Sequence, residues 1–221
     1  MTVVRVVAAG LMGVAFFGLA ACGDDGKDKP QGGQTPQSPG AQPPRTSPPS
    51  QPSSGGTTLT GTGVKLTLPS GWKQVDPTQD TSEVVTTTFG ATGEFSELVK
   101  ELQGQQKKMG TVWALDGSVT SGYAPHVQAG CDKGGLTGAS LEQLKRKQST
   151  LTPGSQITDL TVDGKPGFKS VYSKKTKTAM IEGKSIRVPI PGDRFCYVEV
   201  ESLKGKLPAQ ADQILASFKV T

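Results

Sequence analysis

Residues 64–72 read Val-Lys-Leu-Thr-Leu-Pro-Ser-Gly-Trp. Val64, Leu66 and Leu68 alternate with Lys65 and Thr67, the two-residue period of a strand with one buried face. Pro69-Ser70-Gly71 has turn chemistry: Pro sets its own φ and Gly tolerates a positive one. Trp72 then opens a second strand that runs to Val75, and Asp76-Pro77 stops it.

Working toward the C-terminus, Val84 to Phe89 is rich in β-branched residues and predicts a third strand. The period then becomes helical. Phe95, Leu98, Val99, Leu102 and Met109 recur at helix spacing, with Thr92 as N-cap and Gly104 weakening the middle. Thr111 to Leu115 and Pro125 to Cys131 read as strands. On the latter, Val127, Ala129 and Cys131 share one face, and His126 and Gln128 share the other. Ser140 and Gln143 fit a capping box for a helix to about Ser149, with Leu141 and Leu144 facing the core. Ile157 to Val162, the turn Asp163-Gly164, and Phe168 to Ser173 form a hairpin. Strands over Thr178 to Ile181, Ile186 to Ile190 and Phe195 to Ser202 follow. A last helix begins at Pro208, which suits a first helical position. Ala211, Ile214 and Leu215 line its inner side, and Ser217 to Val220 closes the chain as a strand.

In this order, Val64 to Trp72, the capped helix Ala139-Ser140-Leu141-Glu142-Gln143-Leu144, the hairpin Leu160 to Phe168 and the ending Ile214 to Val220 resemble the PsbP-like fold. In particular they resemble the LpqN-type lipoproteins of actinobacteria. The resemblance spans about residues 63 to 220. It implies an α+β domain, an antiparallel sheet with helices packed on its faces in a PsbP-like α/β/α sandwich. It also implies a non-catalytic protein that binds partners or sits in an envelope. No ligand motif or cofactor carries over from the family, and the pair Cys131 and Cys196 is not one of its marks.

The three Cys divide by position. Cys22 follows the leader of residues 1–21 and is expected to be claimed by lipid, which leaves Cys131 and Cys196 as an even pair for an oxidising compartment. Val198 and Val200 share the face of Cys196, so both thiols point to the more apolar side of their strands. A disulfide between them is expected. The competing reading, a Cys131 nucleophile activated by His126, places the two on opposite strand faces with no third group to orient the ring. His126 is expected in solvent, as are Glu199 and Glu201, which share one strand face. No Gly-x-Ser-x-Gly elbow is present. No catalytic residue and no metal ligand set is assigned, and Asp24, Asp25 and Asp28 lie in sequence that does not preorganise ligands. Trp72 and Trp113 are expected in the core, with a ligand cleft as the alternative.

From Lys165 to Arg187 seven residues are positive: Lys165, Lys169, Lys174, Lys175, Lys177, Lys184 and Arg187, opposed by Glu182 alone. They are expected to be solvated lysines protecting a sheet edge. The functional alternative is contact with anionic lipid heads or acidic wall polymers.

Toward the N-terminus the composition shifts. Residues 22–56 hold eight Pro with Gly, Gln, Ser and Thr and no apolar period, the composition of a disordered linker. As a coil, its 34 residues after Cys22 would average roughly 30 to 35 Å end to end. Residues 1–21 form a leader, with Arg5 followed by an uncharged run from Val6 to Ala21. The run is short for a membrane span and ends in small residues, as cleaved signals do. Leu19-Ala20-Ala21-Cys22 resembles the bacterial lipobox. That resemblance implies cleavage before Cys22 and a diacylglycerol on its sulfur, with further acylation such as palmitate. An ordinary secretory signal and a retained anchor are the alternatives.

Composition sets outer limits. The chain has 221 residues, 33% of them apolar, with 29 Gly and 16 Pro, and residues 57–221 suit one globular domain. A net charge of +5 with 5% aromatics gives neither the basic density nor the stacking surface of a nucleic-acid binder. The sequence therefore predicts a cell-membrane lipoprotein, anchored on the extracytoplasmic face through Cys22. It is read as a binding module for an envelope protein, wall polymer or lipid, and not as an enzyme. A carrier or sensor of a small apolar or lipid-like ligand is the second reading, and a hydrolase the third. Oligomeric state is not encoded in any feature of the sequence.

Overall fold

A computed structural model describes residues 56–176 and 179–221. The leader, Cys22, nearly all of the linker and Lys177 lie outside the described residues. The described residues form an α+β domain with two antiparallel sheets and four α-helices among them.

The strand at Val64–Leu68 forms as expected, but it pairs with an additional strand before it, and the strand that opens at Trp72 belongs to a different sheet. β1 (Thr57–Gly61) pairs with β2 (Val64–Leu68), and the last strand, β10 (Lys219–Val220), pairs with the other edge of β2. Val64, Leu66 and Leu68 are buried, as their alternation requires. Gly71, at φ 90°, makes the turn into β3 (Trp72–Val75). β3 begins a second, seven-stranded sheet with β4 (Val112–Asp116), β5 (His126–Lys133), β6 (Gln156–Val162), β7 (Lys165–Lys175), β8 (Met180–Ile190) and β9 (Arg194–Leu203). Its spatial order is β3-β4-β5-β9-β8-β7-β6. The turn between β6 and β7 holds Asp163 at φ 48° and Gly164 at φ 77°, the left-handed pair that a two-residue hairpin demands. Of the strands expected over Thr178–Ile181 and Ile186–Ile190, Thr178 lies outside the described residues, and Met180, Ile181 and Ile186–Ile190 belong to one continuous β8 with Gly183 inside it.

The expected strand at Val84–Phe89 is a helix instead. α1 (Glu83–Thr88) buries Val84, Val85 and Thr88. Thr86 satisfies its own hydroxyl on the carbonyls of Ser82 and Glu83, so helical backbone accommodates β-branched residues whose propensity points the other way. α2 (Ser96–Lys108) starts after Phe95, not from a Thr92 cap. Its apolar residues do not enter the core: Leu98, Leu102, Phe95 and Met109 are exposed, and Gln103 is the helix's one buried residue. α3 (Leu141–Leu151) carries the expected capping box of Ser140 and Gln143. α4 (Ala211–Ala216) begins one turn after Pro208 and buries Ala211, Ile214 and Leu215.

The main core lies on one face of the large sheet, here called the inner face. There Val127, Ala129, Ile186, Val188, Val198 and Val200 meet the small sheet and α4. The expected disulfide Cys131–Cys196 is part of this core, joining directly opposed residues of β5 and β9. On the outer face, α3 covers one end through Leu144, Phe168, Phe195 and Tyr197. α1 covers the other end through Val84, Val85, Leu115 and Ala124. Neither of these two apolar clusters includes the middle of the outer face.

Candidate functional site

That middle is polar. The strand register fixes what stands there, because residues of one parity on β4, β5, β9, β8 and β7 share a face. Trp113 stands opposite Gln128, and Gln128 opposite Glu199. Along the next row His126 is opposite Glu201, Glu201 opposite Gly183, and Gly183 opposite Tyr172. Lys174 and Arg187 join them from β7 and β8. α2 and the segment Phe89–Thr92 wall this area, leaving a cleft of about 680 Å³.

Lys174 and Glu201, on its floor, join a network that continues beneath it into Tyr172, Glu199 and Arg187, while Gln128, also on the floor, pairs apart from that network. The Tyr172 hydroxyl lies against Oε1 of Glu199 and donates to Oε1 of Glu201 at 2.8 Å. Lys174 pairs with that same oxygen of Glu201. The Arg187 guanidinium stands 3.6 Å from Glu199 Oε1, and its other nitrogen reaches Ser185. Ser185 and Ser170 share a hydrogen bond of 2.8 Å. Gln128 donates to the Tyr197 hydroxyl at 2.8 Å.

His126 and Glu201, expected in solvent, are each 7% exposed, and Glu199 is half-buried. The polar face of these strands is roofed by helices, so alternation placed the residues on the correct face but not in the correct medium. His126 Nδ1 faces the Ala124 carbonyl at 3.4 Å, and Nε2 faces Glu201 Oε2 at 3.7 Å, beyond hydrogen-bond reach. Phe89 and Tyr123 set their rings edge-on to the imidazole, at 5.0 and 5.6 Å between centroids.

These surroundings shift several protonation equilibria. Burial holds the His126 imidazole below its ordinary value, against the opposing pull of Glu201. Burial acts to raise Glu199, but Arg187, Lys174 and Tyr172 outweigh it and hold its carboxyl below the usual range. Burial acts to lower Lys174, and the two carboxylates override it, so its ammonium is held more firmly than usual. Burial and the same two carboxylates push the phenols of Tyr123 and Tyr172 upward. Shifted groups gathered in this way occur at functional sites and in structural ion-pair networks alike.

Two further groups stand at the cleft: Trp113, for which a cleft is the stated alternative, and Gln103, which no sequence signal singles out. Trp113 lines it instead of joining the main core, while Trp72 does pack in the core. The buried Trp113 Nε1 has no hydrogen-bond partner, and neither has Gln103 Oε1. Gln103 Nε2 is used, donating to the Phe89 carbonyl at 2.9 Å.

The six of the seven basic residues that are described do not gather on one surface. Lys169 and Lys184 both pair with Asp212 of α4 at 2.6 Å on the inner face, and Lys174 and Arg187 serve the outer-face network. Lys175 is exposed near the end of β7, and Lys165 begins that strand, half-buried. Among the described residues, no group of three or more His, Cys, Asp or Glu side chains is placed to hold a metal ion.

A comparison with protein-family models finds no match, and one with curated proteins finds none either. Solved structures do resemble the chain. The solution structure of the cyanobacterial PsbP protein CyanoP from Synechocystis is 12% identical, with a TM-score of 0.44, over 78% of this chain and 98% of that one. A crystal structure from Bacteroides thetaiotaomicron is also 12% identical, with a TM-score of 0.42, over 75% of this chain. The match spans about half the length of that Bacteroides chain, 48%.

Proposed function

We propose that the chain is an extracytoplasmic, non-catalytic binding module that holds its ligand in the cleft between α2 and the seven-stranded sheet. Diacylglycerol on Cys22 tethers it to the membrane, and residues 23–56 provide reach. The observation that carries the reading is the cleft floor. Glu201 and His126 are buried, yet they border open space of about 680 Å³, within the range of small-molecule sites. Buried ionisable groups cost stability unless fully paired, and here they are concentrated at a cavity.

Binding fits this geometry better than hydrolysis. Both carboxylates are committed to Tyr172, and the His126 nitrogens face Ala124 O and Glu201 instead of a hydroxyl or thiol. The second reading, a carrier of a small apolar ligand, draws on Phe89, Val99, Leu102, Ile181 and Leu203 in the cleft walls. Protein purified from its own membranes and analysed intact by native mass spectrometry tests the proposal. A bound small molecule lost on Trp113→Ala supports it, and a bare protein with an unchanged partner profile counts against it. Release of Cys22→Ser protein from the membrane fraction tests the tether.

A further inference from the structure

Glu201 has two partners that differ in how easily they leave. Tyr172 is 5% exposed and fixed in the sheet, whereas the Lys174 side chain is 38% exposed and lines the cleft, and the carboxylate they share is itself only 10% exposed. A ligand that drew Lys174 away by offering it a negative charge would strand Glu201 as a buried carboxylate short of its cation, which is strongly unfavourable. A ligand that brought its own cation would keep Glu201 paired and let Lys174 turn into water. The same cleft is lined by the rings of Phe89, Trp113 and Tyr123, whose faces attract cations.

We infer that the cleft takes a small organic ammonium ion, which pairs with Glu201 in the place that Lys174 holds in the free protein. This rests on the proposed function in assigning the cleft as the binding site, and goes beyond it in naming the ligand's chemistry. Lys174 then acts as a tethered competitor, setting the affinity from within. Arg187 remains on Glu199 and takes no part in the exchange.

Three probes of matched size separate the classes: benzylammonium, benzyl alcohol and benzoate. Each is titrated into the folded domain while the indole N–H resonance of Trp113 is followed, with Trp113→Phe fixing its assignment. Benzylammonium is expected to shift that resonance saturably, and the other two not to. Lys174→Met is expected to tighten benzylammonium by about fivefold, the equivalent of about 1 kcal/mol for a partly exposed ion pair. Glu201→Gln is expected to weaken it by about thirtyfold. Should Glu201→Gln fail to fold, Lys174→Met alone decides the matter, since weaker or unchanged binding in that variant overturns the exchange. Equal or tighter binding of the alcohol or of benzoate overturns the ammonium assignment but leaves the cleft as a binding site. No saturable shift with any probe, in either protein, overturns both.

Discussion

Tyr172 and Glu201 lie on strands that do not touch, yet the Tyr172 hydroxyl donates to the Glu201 carboxylate at 2.8 Å. β8 runs between them, and the residue in register with both is Gly183. The phenol crosses over the space that a side chain at 183 would fill. A Cβ there would stand 2.7 Å from both Cζ and the hydroxyl of Tyr172. Gly183 is therefore required by a close approach. Gly183→Ala is expected to destabilise by about 1–3 kcal/mol through overpacking and to release the hydroxyl from Glu201. Chemical denaturation measures the first effect. The Tyr172 phenol titration measures the second, moving back toward the ordinary range.

Removing the hydroxyl alone isolates the network from the packing. Tyr172→Phe keeps the ring and takes a donor from two carboxylates. The expected cost is about 1.5–3 kcal/mol, the range for hydrogen bonds to charged groups. A loss below about 0.5 kcal/mol in urea titration would mean that the carboxylates need only Lys174 and Arg187.

The disulfide contributes separately, from the inner face. Cys131 and Cys196 are 65 residues apart. In the chain-entropy account, closing such a loop stabilises by about 4 kcal/mol. The double variant Cys131→Ala, Cys196→Ala is expected to lose about that much, and reduction of the unfolded wild type should abolish the difference between the two. A double variant as stable as wild type would refute this.

Acid sensitivity follows from His126. Glu201, Glu199 and Lys174 act on it by charge, and Phe89 and Tyr123 crowd its ring. Its pKa is lowered in the folded protein, so below the ordinary value of 6.5 the unfolded chain binds the proton that the folded one resists. Stability accordingly falls as pH drops through 6.5, until the folded ring is itself protonated. Glu199, lowered from 4.5, contributes stability that is lost only at more acid pH. Urea midpoints at pH 7.5 and 5.5 should fall in that order, with a smaller difference in His126→Gln. A midpoint that rises toward pH 5.5 would show the His126–Glu201 attraction outweighing burial.

Asp212 fastens α4 to the sheet by holding Lys169 and Lys184, and these two ammonium groups keep its carboxyl below the usual range. More than half of the Asp212 side chain is exposed, so solvent screens the pair. Asp212→Asn is expected to cost only about 0.5–1 kcal/mol, readable as a small loss in melting temperature that high salt reproduces in the wild type.

The elements that were legible in the sequence are those whose pattern is local. The alternation in Val64–Leu68, the Asp163-Gly164 turn, the Ser140–Gln143 box and the buried face of α4 each depend on residues a few positions apart. Val84–Phe89 was misread because β-branched residues suggest a strand, whereas burial of Val84, Val85 and Thr88 depends on Leu115 and Ala124 far along the chain. The site was misread for a related reason. His126, Gln128, Glu199 and Glu201 were placed on the correct strand faces, but their burial depends on what roofs those faces. Shared parity of His126, Glu201, Tyr172 and Lys174 is a signal only once strand order is known.

The most direct test of the cleft as the ligand site is photo-crosslinking in intact cells. A benzophenone amino acid replaces Leu102, which lines the cleft and is 46% exposed, or, as control, Leu151, which is 51% exposed at the end of α3. The account predicts a discrete added mass on the Leu102-substituted protein and none on the other. Equal labelling at both positions, or none at Leu102, would contradict it.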